Sequence, residues 1–342
     1  MSLILPQNYP EDIIFHTTDF AQSKPKGKII KLALLNTMAN TLETEAQLLN
    51  PLSDIEGYDV EITFFTPSAI LNSSAIKIKE AEPNADISKY EHRIKFHRSL
   101  EDFNPEEYDG AILTGAPVAS EPLQQREEGK GVTYFEEYIA TLDKIKQSNT
   151  PTLAICWASH VALNHFYEVP RHKREQGKLT GVFNVLNQKP EHKLMNNVGD
   201  GFDLPVSRNY LSDEALLQAN VIPLASSEET GTALAADKDG PFIYMTGHLE
   251  YDPQTLREEA IRDIHCKGLM TTNENRGAPI PRNYDIHAPA FSWKEARKTI
   301  FGNLMSYFAD ARDNKQSTQP HSANENNTPQ QQPSQLQHLA AG

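Results

Sequence analysis

Cysteine is scarce in this chain: Cys156 and Cys266 are the only two among 342 residues. Two cysteines cannot form the disulfide framework of a small secreted protein, and the sequence contains no CxxC or Cys/His spacing typical of a zinc site. The 12 histidines show no ligand-like clustering along the sequence either. We therefore expect no metal site.

Basic residues are also few, 32 against 46 acidic ones, and the formal net charge is −14. This balance argues against binding to nucleic acid or to an anionic membrane surface, although it leaves room for a local basic pocket. No apolar run approaches the length of a membrane span, and the N-terminus lacks the basic and apolar segments of a signal peptide. We expect a cytoplasmic protein without nucleic-acid or membrane partners.

The first half of the chain alternates short apolar runs with amphipathic stretches, which predict strands and helices respectively. The predicted strands are 28–36, 59–66, 108–114 and 151–155, and the predicted helices are 42–49, 134–147 and 157–166. This alternation predicts an α/β fold, an open and mostly parallel sheet with helices on both faces. Ligands in such sheets bind at the carboxyl ends of the strands, where Asn36, Gly115 and Cys156 fall.

Later in the chain, strands follow one another through turns. Predicted strands are 221–225, 233–236 and 242–246, with a hairpin at 237–240, and predicted helices are 254–266 and 293–308. Residues 1–27 are polar and punctuated by proline, which indicates an arm. From about residue 313 the chain is rich in Gln, Asn, Ser and Pro, a composition typical of disorder. We therefore predict one domain at 28–312, between the arm and a disordered tail at 313–342.

Cys156 is the residue that points most directly to chemistry. It lies where an apolar strand meets the start of a helix, and the first N–H groups of a helix carry a partial positive charge that favours a thiolate. The backbone N–H of Trp157 would face an oxyanion formed on an acyl group at this sulfur. A lone cysteine after an apolar strand is more often a buried structural residue. Both interpretations of Cys156 therefore stay open at this point.

His248 and Glu250 form a second candidate pair. Glu250 could accept a hydrogen bond from the imidazole and fix its tautomer, but a histidine beside glycine is usually a loop residue, and the spacing alone is weak evidence. The loop that begins at Gly115 could supply a second N–H to an oxyanion. Together with Cys156, these segments predict a Cys–His–Glu acyl-transfer site.

These residues lie in segments that resemble the homoserine O-succinyltransferase/O-acetyltransferase family, whose fold is that of class I glutamine amidotransferases (flavodoxin-like). The resemblance runs from about residue 28 to residue 307. The matching segments read LLNTM, LETEAQLL, YDGAILTGAPV, ICWASHVALNHFYEVPR, GKLTGVF, PVSRNY, TGHLEYDPQTLREEAIRD and SWKEARKTIFGNL. The order of the CWA, TGAP and TGHLEYD segments makes the match specific.

The resemblance implies that Cys156 is the acyl-thioester nucleophile, His248 the general base and Glu250 its orienting partner. The implied reaction is ping-pong: acyl-coenzyme A acylates the cysteine, and the hydroxyl of homoserine then takes the acyl group on a route to methionine. The implied co-substrate is acyl-coenzyme A, with no other cofactor. Family enzymes are commonly dimers, so a homodimer is compatible with the resemblance.

The resemblance also implies that Lys178, Ser207 and Arg262 bind the substrate, because the carboxylate of an amino acid needs a fixed cation. Without the family these three would be interpreted as ordinary surface residues. The resemblance adds Ala119 to Trp157 and Gly115, and the three form the predicted oxyanion and acyl pocket.

Three positions depart from the family pattern. Residues 38–41 read Met-Ala-Asn-Thr where the family typically has Met-Pro-Lys-Lys, which leaves donor affinity and homoserine specificity open. Ala119 stands where a Glu resembles the acetyl type and a Gly the succinyl type. Its small uncharged side chain leaves room for a succinyl carboxylate, which favours succinyl. His160 stands where the family usually has Gln and receives no role.

The sequence thus predicts a homoserine O-acyltransferase that uses acetyl- or succinyl-coenzyme A. Three alternatives stay open. The same mechanism could act on serine or another hydroxy amino acid. The chain could also be a glutamine amidotransferase-like hydrolase, which uses the same Cys–His–Glu set, or a binding protein that retains the fold without catalysis.

Overall fold

The computed structural model describes residues 3–10, 28–118, 131–266 and 280–318. The strands in chain order are β1 (Leu3–Ile4), β2 (Lys28–Leu35), β3 (Tyr58–Thr66), β4 (His97–Ser99), β5 (Gly110–Leu113), β6 (Thr152–Ile155), β7 (Arg171–Lys173), β8 (Leu179–Asn187), β9 (Gly201–Arg208), β10 (Tyr210–Ser212), β11 (Val221–Ser227), β12 (Gly231–Asp237) and β13 (Phe242–Met245). The helices are α1 (Thr41–Ser53), α2 (Ser68–Lys79), α3 (Ser88–Phe96), α4 (Phe135–Ser148), α5 (Trp157–Tyr167), α6 (Glu214–Asn220), α7 (Thr255–Cys266) and α8 (Lys294–Thr318).

One large sheet organises the fold, with the strand order β1-β3-β2-β5-β6-β13-β12-β11-β8-β9 and β4 beside β3. Neighbouring strands are parallel from β1 to β13 and antiparallel from β13 to β9. A separate antiparallel ribbon pairs β7 with β10. The predicted mostly parallel α/β sheet is confirmed, with an antiparallel extension on one side.

Helices cover both faces of this sheet, as predicted. Along β2, Leu32 and Leu34 face one apolar core, which includes side chains of α1 and α8. Ala33 and Leu35 face the other core, which includes side chains of α4 and α5. The alternation follows from the two-residue period of a strand, and burial on both faces explains why the central strands read as continuous apolar runs.

All the predicted strands and helices are present, although α1 and α8 run longer than predicted. The hairpin at 237–240 is confirmed, since it joins the antiparallel strands β12 and β13. The prediction missed α2, in which Ser74 alone is buried, so the segment carries no apolar stripe. It also missed α3, α6 and the long β8–β9 pair. In the described part of the chain, no helix is both long and apolar enough to cross a membrane.

The predicted domain limits remain predictions, because most of the arm and tail lies outside the described residues. Within the arm, β1 pairs with β3 and Leu3 is buried, so its first described segment joins the edge of the sheet. At the other end, α8 continues to Thr318 and therefore enters the segment predicted as tail.

Candidate active site

A cavity of about 770 Å³ lies at the carboxyl ends of the parallel strands, the position expected for ligands in such a sheet. Its lining includes all the predicted site residues that are described: Gly115, Cys156, Trp157, Lys178, Ser207, His248, Glu250 and Arg262. Ala119, predicted to influence the choice of acyl group, lies outside the described residues. Segments far apart in sequence thus meet at one cavity.

Cys156 occupies a strained turn between β6 and α5. Its backbone φ of 52° and ψ of −109° lie in a region that residues with a side chain rarely adopt. The turn is fixed on both sides, because Cys156 N–H donates to the carbonyl of Met245 at 2.7 Å and Ser159 Oγ donates to the carbonyl of Ala154 at 2.6 Å. The half-buried thiol therefore projects from the sheet edge into the cavity.

His248 and Glu250 form a buried, hydrogen-bonded pair. His248 Nδ1 lies 2.6 Å from Glu250 Oε1, and the ring stacks on Tyr251 with centroids 4.2 Å apart. The backbone N–H of His248 donates to the carbonyl of Pro205 at 2.8 Å. Because Nδ1 is committed to the carboxylate, Nε2 is the nitrogen available to another group.

The electrostatics of His248 link this pair to the cysteine. Burial of the imidazole opposes its protonation, but the negative charges of Glu250 and Cys156 and a side-chain hydrogen bond with each of them raise the pKa of His248 well above its ordinary value. The parallel pairing of β6 with β13, which sets Ile155 opposite Met245, brings the two segments together. These neighbours favour the protonated form of the His248 imidazole.

Glycine is required at position 247 because other groups approach its backbone closely. A Cβ on Gly247 would lie 2.5 Å from Leu204 Cδ2 and 2.9 Å from the Pro205 carbonyl oxygen, so β9 could not pack there against a larger residue. A Cβ on Gly115 would lie 3.5 Å from the Cβ of Cys156. The end of β5 therefore borders the thiol directly, as the sequence predicted.

Lys178, Ser207 and Arg262 converge on a carboxylate that sequence reasoning did not single out, Glu259. Lys178 Nζ donates to Glu259 Oε2 at 3.3 Å and to Asp263 Oδ2 at 2.8 Å, and Ser207 Oγ donates to the same Glu259 oxygen. Arg262 Nη2 lies 3.8 Å from Glu259 Oε1. Burial acts to raise the pKa of Glu259. The charge of Lys178, the hydrogen bond from Ser207 and further positive charges outweigh burial and lower the pKa overall. The ionised glutamate is thus the centre of this polar group.

The loop at residues 38–41, which lacks the two lysines typical of the family, is held in place by an arginine. Arg93 of α3 is buried, and its Nη2 donates to the carbonyls of Met38 at 2.8 Å and Ala39 at 3.0 Å. Thr37 Oγ1 donates to the carbonyl of Gly115 at 2.6 Å. These contacts fix the loop against the rim of the cavity.

The expectation that histidines do not cluster is wrong for His92 and His97, which the fold brings together at Glu45. Their Nε2 atoms lie 2.8 Å and 2.7 Å from the two carboxylate oxygens, and Tyr9 Oη also donates to Glu45. Although burial opposes ionisation, the hydrogen bonds from the two histidines lower the pKa of Glu45 to about 2. These are ligand types that can hold a metal ion. Since hydrogen bonds already use both oxygens, we interpret the cluster as structural; the absence of a metal site stays a prediction.

Sequence reasoning also missed a basic wall of the cavity, formed by Arg171 and Arg208. Arg208 is buried, and its guanidinium donates to the carbonyls of Thr230 and Thr246. Burial lowers the pKa of Arg208 to about 10, which still leaves the group charged at neutral pH. The segment PVSRNY contains Arg208, but nothing in its spacing indicates that this side chain turns into the cavity.

Chemically, the arrangement offers a thiol on a strained turn, a protonated imidazole held by a carboxylate, and separate basic and mixed-charge walls. Such a set can form and discharge a covalent acyl intermediate.

Comparison with known proteins gives the chain a family. The model of the homoserine O-succinyltransferase family matches residues 8–314. A homoserine O-succinyltransferase of Alteromonas mediterranea is 32% identical over 288 residues, covering 82% of each chain. A homoserine O-acetyltransferase of Bacteroides thetaiotaomicron is 31% identical over 322 residues, covering 90% of this chain and 96% of that protein.

Solved structures agree on the fold. The crystal structure of a glutamine amidotransferase from Thermotoga maritima aligns with a TM-score of 0.52 over 82% of this chain and 98% of that one, at 11% identity. At this identity the similarity concerns the fold alone, which is class I glutamine amidotransferase-like as predicted. With a family model that matches nearly the whole chain, the protein belongs to the homoserine O-succinyltransferase family.

Proposed function

We propose that this protein is an acyl-coenzyme A-dependent O-acyltransferase that transfers a succinyl or acetyl group to the hydroxyl of L-homoserine through a thioester on Cys156. The observation that carries the proposal is that the hydrogen-bonded His248–Glu250 pair and Cys156, on its strained turn, line the same cavity. Membership of the family, and relatives that are named for both acyl groups, support homoserine as the acceptor.

In the first half-reaction, the Cys156 thiolate attacks the carbonyl carbon of the acyl-coenzyme A. The new C–S bond forms as the bond to the sulfur of coenzyme A breaks. The leaving thiolate takes the proton that His248 carries, because the charges of Glu250 and Cys156 have kept the imidazole protonated until then. The products are free coenzyme A, a neutral His248 and the acyl-enzyme.

In the second half-reaction, the neutral His248 removes the proton of the homoserine hydroxyl, and the oxygen attacks the thioester. The C–S bond to Cys156 breaks, which releases the O-acyl-homoserine and restores the thiolate beside the imidazolium. The backbone N–H of Trp157 is a first-turn helix donor that has no acceptor inside its own helix. We assign it to the oxyanion of each tetrahedral intermediate, opposite Gly115.

The polar group around Glu259 suits an amino acid acceptor. Lys178 and Arg262 offer cations for the α-carboxylate, and Glu259 offers a carboxylate for the α-ammonium group. Ser207 fixes Glu259 through its hydroxyl. Opposite charges placed side by side match a zwitterion better than they match a simple anion or cation. We propose that the product serves methionine biosynthesis.

Intact-mass spectrometry tests this proposal. We expect incubation with acetyl- or succinyl-coenzyme A to add one acyl mass to the wild-type protein and to Cys266→Ala, which changes the other cysteine of the chain. Cys156→Ala should acquire none. Homoserine should then remove the adduct faster than serine or glutamine does. An adduct that persists in Cys156→Ala would refute the nucleophile, and hydrolysis of glutamine without coenzyme A would instead support an amidotransferase-like hydrolase.

A further inference from the structure

Three buried side chains that line the cavity each keep one nitrogen without a hydrogen-bond partner in the described part of the chain. One is Nε1 of Trp157, and the other two, Nε2 of His160 and Nε of Arg208, belong to basic residues. The two residues are only 4% and 5% exposed. A buried polar group without a partner is destabilising and is rarely retained without a reason. Two of them in one cavity wall point to a ligand that accepts hydrogen bonds.

Arg208 is rigidly placed for such a ligand. Its Nη2 donates to the carbonyl of Thr230 and its Nη1 to the carbonyl of Thr246 at 3.5 Å, so two backbone groups fix the guanidinium plane. The negative charge of Glu214 acts to raise the pKa of Arg208. The Glu214 oxygens, however, accept their hydrogen bonds from the backbone N–H and the hydroxyl of Thr232. The Nε–H of Arg208 therefore stays available for an anion.

His160 lies one helical turn beyond Cys156 on α5, and its N–H donates to the carbonyl of Cys156. Its Nδ1 lies 2.9 Å from Ser212 Oγ, and burial lowers the pKa of the ring to about 3, so it is neutral. If the Ser212 hydroxyl donates to Nδ1, the ring proton resides on Nε2. Ser212 pairs with Arg171 across the β7–β10 ribbon, and the Arg171 guanidinium lies 4.2 Å from the Tyr210 ring centroid.

We propose that His160 Nε2–H and Arg208 Nε–H, next to the charge of Arg171, bind the distal carboxylate of a dicarboxylic acyl group while its other end is esterified to Cys156. The protein would then prefer succinyl-coenzyme A. This inference rests on the proposed function and specifies its acyl donor.

A four-carbon chain is comparable in length to one turn of an α-helix. His160 lies one turn from Cys156, a rise of about 5.4 Å. The two carboxyl carbons of a succinyl group are separated by three C–C bonds of about 1.5 Å each, so the chain can extend from the sulfur to that level of the helix. An acetyl group has only a methyl group beyond its carbonyl carbon, so it leaves the nitrogens of His160 and Arg208 without a partner. The carboxylate keeps its charge throughout, since the only bonds that change are those at the thioester carbonyl.

The test compares succinyl-coenzyme A with butyryl-coenzyme A, which has the same chain length and a methyl group in place of the carboxylate. We expect kcat/KM of the wild-type protein to favour succinyl by about 10- to 100-fold, as for a desolvated, charge-assisted hydrogen bond. His160→Leu should lower this ratio about tenfold. His160→Gln, which keeps an N–H donor, should retain most of it. Ser212→Ala removes the hydrogen bond at His160 Nδ1 but no contact with the ligand. The ring proton can then reside on either nitrogen, so the ratio should fall several-fold.

Four results would overturn the proposal. The first is a wild-type ratio near one. The second is that His160→Leu and Ser212→Ala lower kcat/KM equally with succinyl- and butyryl-coenzyme A. This result would indicate a structural role or a contact with the coenzyme A phosphates. The third is that the His160 variants keep the wild-type ratio of kcat/KM between succinyl- and butyryl-coenzyme A but have a raised KM for homoserine. This result would assign the nitrogens to the acceptor carboxylate. The fourth is the absence of an acyl adduct on Cys156 with either donor, which would remove the proposed function itself and is distinguishable from the other three.

Discussion

Replacing Glu250 by Gln removes one negative charge from the site and leaves its shape almost unchanged. The Gln oxygen can still accept the hydrogen bond that Glu250 Oε1 makes with His248 Nδ1 at 2.6 Å. The pKa of His248 should fall, because a neutral amide stabilises the imidazolium less than a carboxylate does. A hydrogen bond to a charged group contributes about 1–2 kcal/mol more than one between neutral groups, so the imidazolium–thiolate pair should become about 5- to 30-fold less favourable.

The assay is the alkylation of Cys156 by iodoacetamide, followed by intact mass from pH 5 to pH 9. The pH at half-maximal rate should move upward by about one unit in Glu250→Gln, since each 1.36 kcal/mol corresponds to one pH unit. Steady-state kcat should fall in the same range. Glu228→Gln, the same change on an exposed glutamate, is the matched control. An unmoved profile in Glu250→Gln, or an equal shift in Glu228→Gln, would refute the assigned role of Glu250.

Three further predictions concern strain, acid stability and the acceptor. Cys156→Gly should be about 1 kcal/mol more stable to urea than Cys156→Ala, because glycine relieves the backbone strain at φ 52°; equal stability would show that the turn is unstrained. Glu45 has its pKa lowered from 4.5 to about 2, so it contributes about 3 kcal/mol that is present above pH 4.5 and is lost as the pH falls toward 2. Glu45→Gln should flatten that part of the stability–pH curve, whereas the exposed Glu91→Gln should not; matching curves would contradict this ionisation. Glu259→Gln should raise the KM for homoserine about tenfold or more with little change in the rate of acyl-adduct formation, and a loss confined to adduct formation would place Glu259 on the donor side.

The sequence allowed the strands around the cavity to be predicted because they are buried on both faces and their apolar runs are nearly continuous. The turn at Cys156 was located for the same reason, since the apolar run of β6 ends there. The segments α2 and α3 were missed because few of their side chains are buried, so they lack the apolar periodicity on which helix prediction depends.

The Cys–His–Glu set was predicted, but the strand order that assembles it and the contacts between other distant segments of the site were not. Nothing local indicates that β13 lies beside β6, which is what brings His248 to Cys156. The importance of Glu259 and Arg208 follows from partners distant in sequence, such as Lys178 and Thr230. The roles of Lys178, Ser207 and Arg262 came from resemblance alone, and the structure adds that they share one carboxylate.

The central claim is that the acyl group rests on the protein between donor and acceptor, and isotope exchange tests it most directly. Labelled coenzyme A is mixed with unlabelled acyl-coenzyme A and the protein, with no homoserine present. We predict that label enters the acyl-coenzyme A at a rate at least equal to kcat, and that Cys156→Ala abolishes this exchange. Full turnover with homoserine but no exchange in its absence would contradict the account, because it would mean that the acyl group passes directly from donor to acceptor.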